Sequence, residues 1–287
     1  MSSFLNLSNK KILVTGANGF LGRHLMAELS KYSSSVEAYP GDVRTIEQSK
    51  IASDVVCHLA ARTKARTQDE YDSLFDVNIG GTLSVMRYCY RHRASCVLIS
   101  SSAVYLPSDE EIPLSEKAPL SQKTTYGASK SVCEKICEYY STYLNVAVTT
   151  LRIFNLYGEG QKEPFLIPSL IYSVRQKKAL TLNTPFLVRD FIHVRDVVSA
   201  ILYSLTDRHS GWRCFNVGTG HGLSALEVLH KILEFEKIDL SESPIKISDN
   251  PEKDFVIADT QKLKKAFDWA PRISFEEGLD VMVRTQL

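Results

Sequence analysis

The stretch KILVTGANGFLG, residues 11–22, decides the fold class of this chain. Its first five residues form a short and almost wholly apolar run, which is typical of a strand buried on both faces of a parallel sheet. Three glycines, Gly16, Gly19 and Gly22, follow, and residues 20–31 then place apolar side chains near helical spacing. The sequence therefore predicts a strand, a tight turn and a helix in that order, which is the first half of a βαβ unit.

The glycine-rich turn predicts a phosphate-binding site. Glycine lets the backbone turn sharply and approach a pyrophosphate closely, and the N-terminus of a helix presents unpaired N–H groups and a positive dipole end to an anion. The spacing is GxxGxxG and not the GxGxxG of the common dinucleotide fingerprint. Because glycines in a loop are often simple turn formers, this motif needs support from the rest of the chain.

Strands and helices continue to alternate after this turn. We predict strands at 36–39, 54–59, 96–100 and 146–153 and helices at 71–90 and 126–143, a pattern that indicates a Rossmann-type, doubly wound parallel sheet in an α/β protein. The rhythm changes after Ile153, although residues 194–205 and 214–217 again resemble elements of the sheet layer. We therefore assign residues 1–154, with 191–219, to a dinucleotide-binding domain, and residues 155–190 and 220–287 to a smaller C-terminal substrate lobe.

Composition excludes several classes of function. The 287 residues carry 34 Lys and Arg against 33 Asp and Glu, so no field strong enough to hold nucleic acid or a membrane surface is expected. The six cysteines form no CxxC pair and no zinc-type spacing, which predicts free thiols and no metal. The opening residues lack a signal peptide, and no apolar run reaches the ~18 residues of a membrane span. We expect a cytoplasmic protein.

Tyr126 and Lys130 form the strongest catalytic signal. They lie four residues apart in YGASK (126–130), a spacing that places both side chains on one face of a helix. A tyrosine with a pKa near ~10 is a poor base at neutral pH, but an adjacent cation favours the phenolate. An isolated YxxxK is usually a solvated helix face. Here it follows a predicted strand that ends in SSSAVY (100–105), where α/β sheets place their ligands.

Taken together, the motifs resemble the extended short-chain dehydrogenases/reductases in order and spacing, nearly from end to end. They are TGANGFLG (15–22), GDVR (41–44), HLAA (58–61), VNIGGT (77–82), SSSAVY (100–105), YGASK (126–130), LRIFNLYG (151–158), RDFIHV (189–194), FNVGTG (215–220), WAPRI (269–273) and EGL (277–279).

The resemblance implies an NAD- or NADP-dependent enzyme of nucleotide-sugars. By position, Tyr126 is the acid/base on the sugar hydroxyl, Lys130 lowers its pKa and bonds the nicotinamide ribose, and Ser101 hydrogen-bonds the reacting oxygen. The implied cofactor-binding residues are Gly16, Gly19, Phe20, Leu21, Gly22, Arg23, Asp42 (at the adenine), Val43, Leu59, Ala60, Ala61, Asn78, Tyr126 and Lys130. The implied substrate-binding residues are Ser101, Ser102, Tyr126, Asn155 and Arg189.

Two of the motif residues have a second interpretation. A guanidinium matches phosphate oxygens in bidentate fashion, so Arg189 suits the phosphates of the substrate. The alternative for Arg189 is a surface residue paired with Asp190. His193 is expected to be a packed or hydrogen-bonded structural histidine and not a catalyst.

The residues after Ser101 limit the chemistry. The related 4,6-dehydratases carry an Asp-Glu pair there to eliminate water, and this chain has Ser102-Ala103, which disfavours a dehydratase. Ala103 also removes the Glu of related decarboxylases and the Cys of enzymes resembling GDP-fucose synthase. A 4-epimerase and an NAD(P)H-dependent 4-ketoreductase remain, and the motifs favour the epimerase narrowly. A non-catalytic cofactor sensor on the same fold is a more distant alternative.

Cofactor preference stays open at this stage. No acidic residue stands clearly at the end of the second strand, where a carboxylate would hold the adenosine ribose and reject a 2′-phosphate. Arg23 and Arg44 are candidates for contacting such a phosphate; the alternative is a solvated Arg23 and an Arg44 that caps the next helix. We also expect a homodimer formed through the helices at 71–90 and 126–143.

Overall fold

The computed structural model describes residues 7–33, 35–64, 67–207 and 209–285. Within this part of the chain, a central sheet contains six parallel strands in the order β2-β1-β3-β4-β5-β9. The strands are β1 (Ile12–Thr15), β2 (Val36–Ala38), β3 (Val55–His58), β4 (Ser95–Ser101), β5 (Val148–Ile153) and β9 (Trp212–Val217). The predicted Rossmann-type α/β fold is confirmed.

Helices cover both faces of the central sheet, as a buried parallel sheet requires. One face packs against α1 (Phe20–Leu29) and α6 (Val194–Thr206), and the other against α3 (Gly81–His92) and α4 (Thr125–Leu144). β1 and β3 are buried along their whole length, which explains their almost continuous apolar sequence. Within the described residues, no helix combines the length and the apolar character that crossing a membrane requires.

The structure differs from the sequence-based elements in two places. The predicted helix at 71–90 is divided into α2 (Gln68–Phe75) and α3 by a π-helical turn at Asp76–Gly80. The predicted sheet-layer element at 194–205 is helix α6, which packs on the sheet and does not join it. The division of the long helix reflects a tertiary contact that periodicity does not encode, since Asn78 in the π-helical turn is bonded to Arg62 in the loop after β3.

A smaller sheet lies beyond the carboxyl end of β5. β8 (Val188–His193) pairs with β6 (Asn155–Tyr157), β10 (Gly222–Ser224) and β12 (Phe255–Val256). β7 (Leu180–Leu182) pairs with β11 (Ile245–Ile247). A separate apolar cluster joins α5 (Leu166–Gln176), α7 (Ala225–Glu236) and α9 (Phe275–Thr285). Helix α8 (Gln261–Phe267) packs against β9.

A buried ion pair joins α4 to β5. Glu134 and Arg152 are each 3% exposed, and Nη2 of Arg152 donates to Oε2 of Glu134 at 2.7 Å. Ser100 on β4 donates to Oε1 of Glu134 at 2.5 Å, and Nη1 of Arg152 donates to the hydroxyl of Tyr105 at 2.9 Å. Burial opposes the guanidinium charge, but the hydrogen bonds to Glu134 hold the pKa of Arg152 above its usual value. This network sets α4 against the strands that carry the candidate site.

Candidate active site

A cleft of about 830 Å³ opens where the carboxyl ends of the central strands face the smaller sheet. This volume lies in the range of small-molecule sites, roughly 300–1,000 Å³. Most of the sequence-predicted site residues line it, from both the cofactor and the substrate sets. They are Gly16, Gly19, Phe20, Leu21, Gly22, Leu59, Ala61, Ser101, Ser102, Tyr126, Lys130, Asn155 and Arg189.

Ser101, Tyr126 and Lys130 come together at the end of β4. Lys130 is almost fully buried, donates to the carbonyl of Ile99 at 2.8 Å, and lies 6.0 Å from the ring centroid of Tyr126. The hydroxyl oxygen of Ser101 accepts a hydrogen bond from the backbone N–H of Ala103 at 3.1 Å, which leaves its proton available to a ligand. The arrangement provides a phenol, a nearby cation and a hydroxyl donor in one cleft.

A close approach of α4 to the end of β4 produces this convergence. The side chain of Thr124 caps α4 by accepting from the N–H of Gly127 at 3.0 Å. A Cβ atom added at Gly127 would lie 2.1 Å from the carbonyl oxygen of Ala103, a distance that no side chain tolerates. The absence of a side chain at Gly127 therefore permits Tyr126 to sit beside Ser101.

The glycine-rich turn fits a pyrophosphate. Gly16 has a φ of +72°, and a Cβ there would lie 2.6 Å from the backbone nitrogen of Ala60. A Cβ at Gly22 would lie 2.2 Å from the carbonyl of Gly16. No side chain caps the N-terminus of α1 at Gly19, so its first N–H groups remain available to an anion. This backbone geometry suits a pyrophosphate, and binding of a dinucleotide at this turn stays a prediction.

Asp42, Val43 and Arg23 lie outside the residues that line the cleft. The carboxylate of Asp42 accepts from the backbone N–H of Arg44 at 2.9 Å and from its guanidinium at 2.5 Å. These hydrogen bonds hold the pKa of Asp42 at about 2. Val43 is buried against Gly81, and Nη1 of Arg23 donates to the carbonyl of Asn18 at 3.0 Å. Their roles at the cofactor stay predictions.

Asn78 and Ala60 also lie behind the cleft wall. Asn78 is 1% exposed, and its amide is committed to protein partners: it accepts from Arg62 N–H at 2.8 Å and donates to Arg62 C=O and Ser129 Oγ, each at 2.9 Å. Asn78 thus ties the loop after β3 to the first turns of α4. Ala60 supports the turn from beneath Gly16. These hydrogen bonds give Asn78 a role in positioning the loop after β3 and α4. Its contact with the cofactor stays a prediction.

Arg189 reaches the cleft, but with a different partner from the one considered above. Its Nη1 donates to Oδ1 of Asp254 at 2.5 Å and to the carbonyl of Val188 at 2.8 Å. The alternative pairing with Asp190 is wrong, because Asp190 is buried and accepts backbone hydrogen bonds from Thr219 and Gly220. Burial raises the pKa of Asp190 against the effect of these hydrogen bonds. Asp254 therefore holds the guanidinium of Arg189 at the cleft.

Two histidines of the motifs have structural positions. His58 is buried between the hydroxyls of Thr15, at 2.8 Å, and Thr82, at 3.1 Å. Burial, with the charge of Lys130, lowers the pKa of His58 to about 3, so the ring is neutral near pH 7. His193 caps α6 by accepting from the N–H of Arg195 at 3.3 Å. Neither His58 nor His193 is among the described residues that line the cleft.

Several charged residues of the cleft were not identified from sequence. Lys64, Lys123, Glu252 and Asp254 all line it. Only Lys123 had a local signal, because it stands three residues before Tyr126. Glu252 and Asp254 come from a segment without a readable motif, and only the fold brings them to the cleft, where Asp254 pairs with Arg189.

Comparisons with known proteins agree with this geometry. The sequence model of the NAD dependent epimerase/dehydratase family matches residues 12–218. The chain is 24% identical to CDP-abequose synthase of Salmonella typhimurium, over 95% of this chain and 97% of that protein. It is 26% identical to a UDP-glucose 4-epimerase of Lactobacillus helveticus, over 96% and 95% of the two chains.

Among solved structures, MoeE5 in complex with UDP-glucose and NAD superposes with a TM-score of 0.87 at 25% identity, covering 96% of this chain and 97% of that chain. MoeE5 in complex with UDP-glucuronic acid and NAD gives a TM-score of 0.86 at 25% identity, covering 96% and 98%. The described fold therefore corresponds to that of a nucleotide-sugar-binding protein over nearly its whole length.

The contact between Gly127 and Ala103 leads to a stability prediction. We expect Gly127→Ala to lower the melting temperature by roughly 3–10 °C, because overpacking against a rigid carbonyl costs about 1–3 kcal/mol. Gly80→Ala is the matched control, since its Cβ would meet only Arg44 Cγ at 3.9 Å in helical backbone. Thermal unfolding of both variants decides; equal stability would show that α4 does not depend on this contact.

Proposed function

Because the chain belongs to the NAD-dependent epimerase/dehydratase family, we propose that it catalyses epimerisation at C4 of a nucleotide-sugar. The observation that carries the proposal is the convergence of Ser101, Tyr126 and Lys130 at the end of β4, with Ala103 beside them in the cleft. Alanine cannot move a proton, so the site has the groups for oxidoreduction at one carbon and lacks a second acid/base at this position for elimination. Of the described residues that line the cleft, the carboxylates are those of Glu252 and Asp254.

The proton steps follow from the geometry. Tyr126, as phenolate, takes the proton of the C4 hydroxyl while Ser101 donates a hydrogen bond to the same oxygen. Lys130 stabilises the phenolate by its charge. When bound, the NAD(P) cofactor supplies reversible hydride transfer at C4. Tyr126 returns its proton once the opposite face of the sugar is presented, which completes the inversion.

The substrate is expected to lie between the two sheets. Arg189, oriented by Asp254, and Asn155 are positioned at the cleft wall and suit the phosphates of a nucleotide-sugar. We assign residues 155–190 and 220–287 to the substrate lobe and the remainder, 1–154 with 191–219, to cofactor binding. The similarity to a UDP-glucose 4-epimerase and to MoeE5, solved with UDP-glucose, supports a UDP-sugar or a related nucleotide-sugar.

A 4-ketoreductase is the second candidate. β2 ends at Ala38 and continues into Tyr39, Pro40 and Gly41, so no carboxylate stands directly after it to hold the adenosine ribose of NAD. This local sequence suits NADPH, the usual donor in reductive biosynthesis, at least as well as NAD. The balance of support nevertheless remains with the epimerase, because the chain is similar to a UDP-glucose 4-epimerase over nearly its whole length.

The role of Tyr126 is tested by removing its hydroxyl group. Tyr126→Phe should fold normally and bind cofactor but lose about 10²–10⁴-fold of its turnover, the usual contribution of a positioned acid/base. Turnover is followed by proton NMR of the C4 epimers formed from UDP-glucose, with cofactor binding as the control for folding. Rates near those of the wild type would mean that another group moves the proton.

Cofactor preference is tested at Arg23. If its guanidinium reaches a 2′-phosphate, NADPH binds at least as tightly as NADH, and Arg23→Ala lowers NADPH affinity about 10- to 100-fold while NADH is nearly unaffected. Arg44→Ala should have the smaller effect, since Asp42 already occupies the Arg44 guanidinium. Isothermal titration calorimetry measures the ratio of NADPH to NADH affinity for the wild type and for each variant. Tenfold tighter NADH binding that neither substitution alters would contradict the 2′-phosphate contact and favour retained NAD.

We further propose a cytoplasmic homodimer that pairs through α3 and α4. Val132, Tyr139 and Tyr143 are 40%, 56% and 70% exposed and recur at helical spacing on one side of α4. Replacing both tyrosines by Glu should convert the dimer to a monomer in sedimentation velocity, whereas Phe235→Glu on α7 should leave it intact. A wild-type monomer at micromolar concentration would exclude the dimer.

A further inference from the structure

The cleft is lined by more charged residues than the proposed catalytic steps require. Four cations reach it, Lys64, Lys123, Lys130 and Arg189, together with the carboxylates of Glu252 and Asp254. Lys130 stands beside Tyr126, and Arg189 is paired with Asp254. Lys64 donates to the carbonyl of Pro164 at 3.1 Å and lies 4.5 Å from the ring centroid of Phe165. Three of the four cations thus have a defined neighbour.

Lys123 differs from the other three. Lys123 is exposed and lines the cleft, and across the described chain its ammonium group has no hydrogen bond, ion pair or aromatic ring as a partner. A cation placed at a ligand site without a counter-ion favours a ligand with a negative group at that point. The phosphates of the substrate are expected at Arg189 and those of the cofactor at the glycine-rich turn. Neither set of phosphates therefore requires Lys123 as a partner.

The backbone of Lys123 is held at the reactive end of the cleft. Its N–H donates to the hydroxyl of Ser121 at 3.1 Å, and the N–H of Ser121 donates to the carbonyl of Val104 at 2.7 Å. This attaches the segment to the end of β4, just beyond Ser101. Lys123 precedes Tyr126 by three residues, a span of at most about 11 Å along the chain. Lys123 therefore lines the cleft from a segment that is attached next to the end of β4 and leads directly into Tyr126.

On this basis, and resting on the proposed function, we propose that Lys123 binds a carboxylate on the sugar, so that the substrate is a nucleotide-linked uronic acid. A C6 carboxylate is attached to C5, the ring carbon next to C4, which brings it near groups that border the reacting hydroxyl. The contact is a charge-assisted hydrogen bond and discriminates acidic from neutral sugars by about 10- to 100-fold in affinity. It adds specificity without a role in the proton steps.

The test compares two ligands that share one nucleotide. Dissociation constants for UDP-glucuronic acid and UDP-glucose are measured by titration calorimetry with cofactor present, for the wild type, Lys123→Met and Lys123→Arg. Lys117→Met is the matched control, because Lys117 is exposed on the same loop and does not line the cleft. Epimerisation of both sugars is followed in parallel by NMR.

We expect the wild type to bind the acidic sugar at least tenfold more tightly than the neutral one, and Lys123→Met to abolish that ratio by weakening only the acidic ligand. Lys123→Arg should retain most of the ratio, Lys117→Met all of it, and added salt should reduce it. A wild-type ratio near one, or a ratio unchanged by Lys123→Met, overturns the inference. Lys123-dependent binding without turnover of either sugar would instead overturn the epimerase assignment and leave the charge recognition standing.

Discussion

The buried pair of Glu134 and Arg152 is the constraint on which the site depends. A charge removed from water must be fully paired, and removing one partner of such a pair typically costs about 3–5 kcal/mol. Arg152 therefore holds Glu134, and with it α4, at one fixed position against β5. Lys130 lies one helical turn before Glu134 and Tyr126 another turn earlier, so the same ion pair sets the height of both above the sheet.

The site is otherwise built from backbone contacts more than from side-chain contacts. Gly127 approaches Ala103, and Gly16 approaches Ala60, at distances that exclude a Cβ atom. The first contact joins α4 to the short turn after β4, and the second joins the loops that follow β1 and β3. Because backbone is less adaptable than side chains, the glycine-rich turn and Tyr126 keep a fixed separation. Asn78 reinforces this from behind by bonding both the loop after β3 and Ser129.

Local patterns in the sequence predicted the parallel sheet, the glycine-rich turn and the pairing of Tyr126 with Lys130, since each depends on neighbours within a few residues. They did not predict Asp254 as the partner of Arg189, because 65 residues separate the two and no motif marks the second. Glu134 had a usable signal, a carboxylate four residues after Lys130 on the buried side of α4. Its partner Arg152 lay inside a recognised motif but gave no indication of which charge it meets.

The order of the chain through the two sheets has an evolutionary consequence. β9, an edge strand of the central sheet, is added only after the chain has passed through β6, β7 and β8 outside that sheet. The strands outside the central sheet are therefore interrupted in sequence, because β10, β11 and β12 follow β9. A segment of this kind cannot be exchanged whole by recombination without removing a strand from the central sheet. New substrate preferences are then most readily acquired by single substitutions along the cleft. Such substitutions leave the path of the chain between the two sheets unchanged.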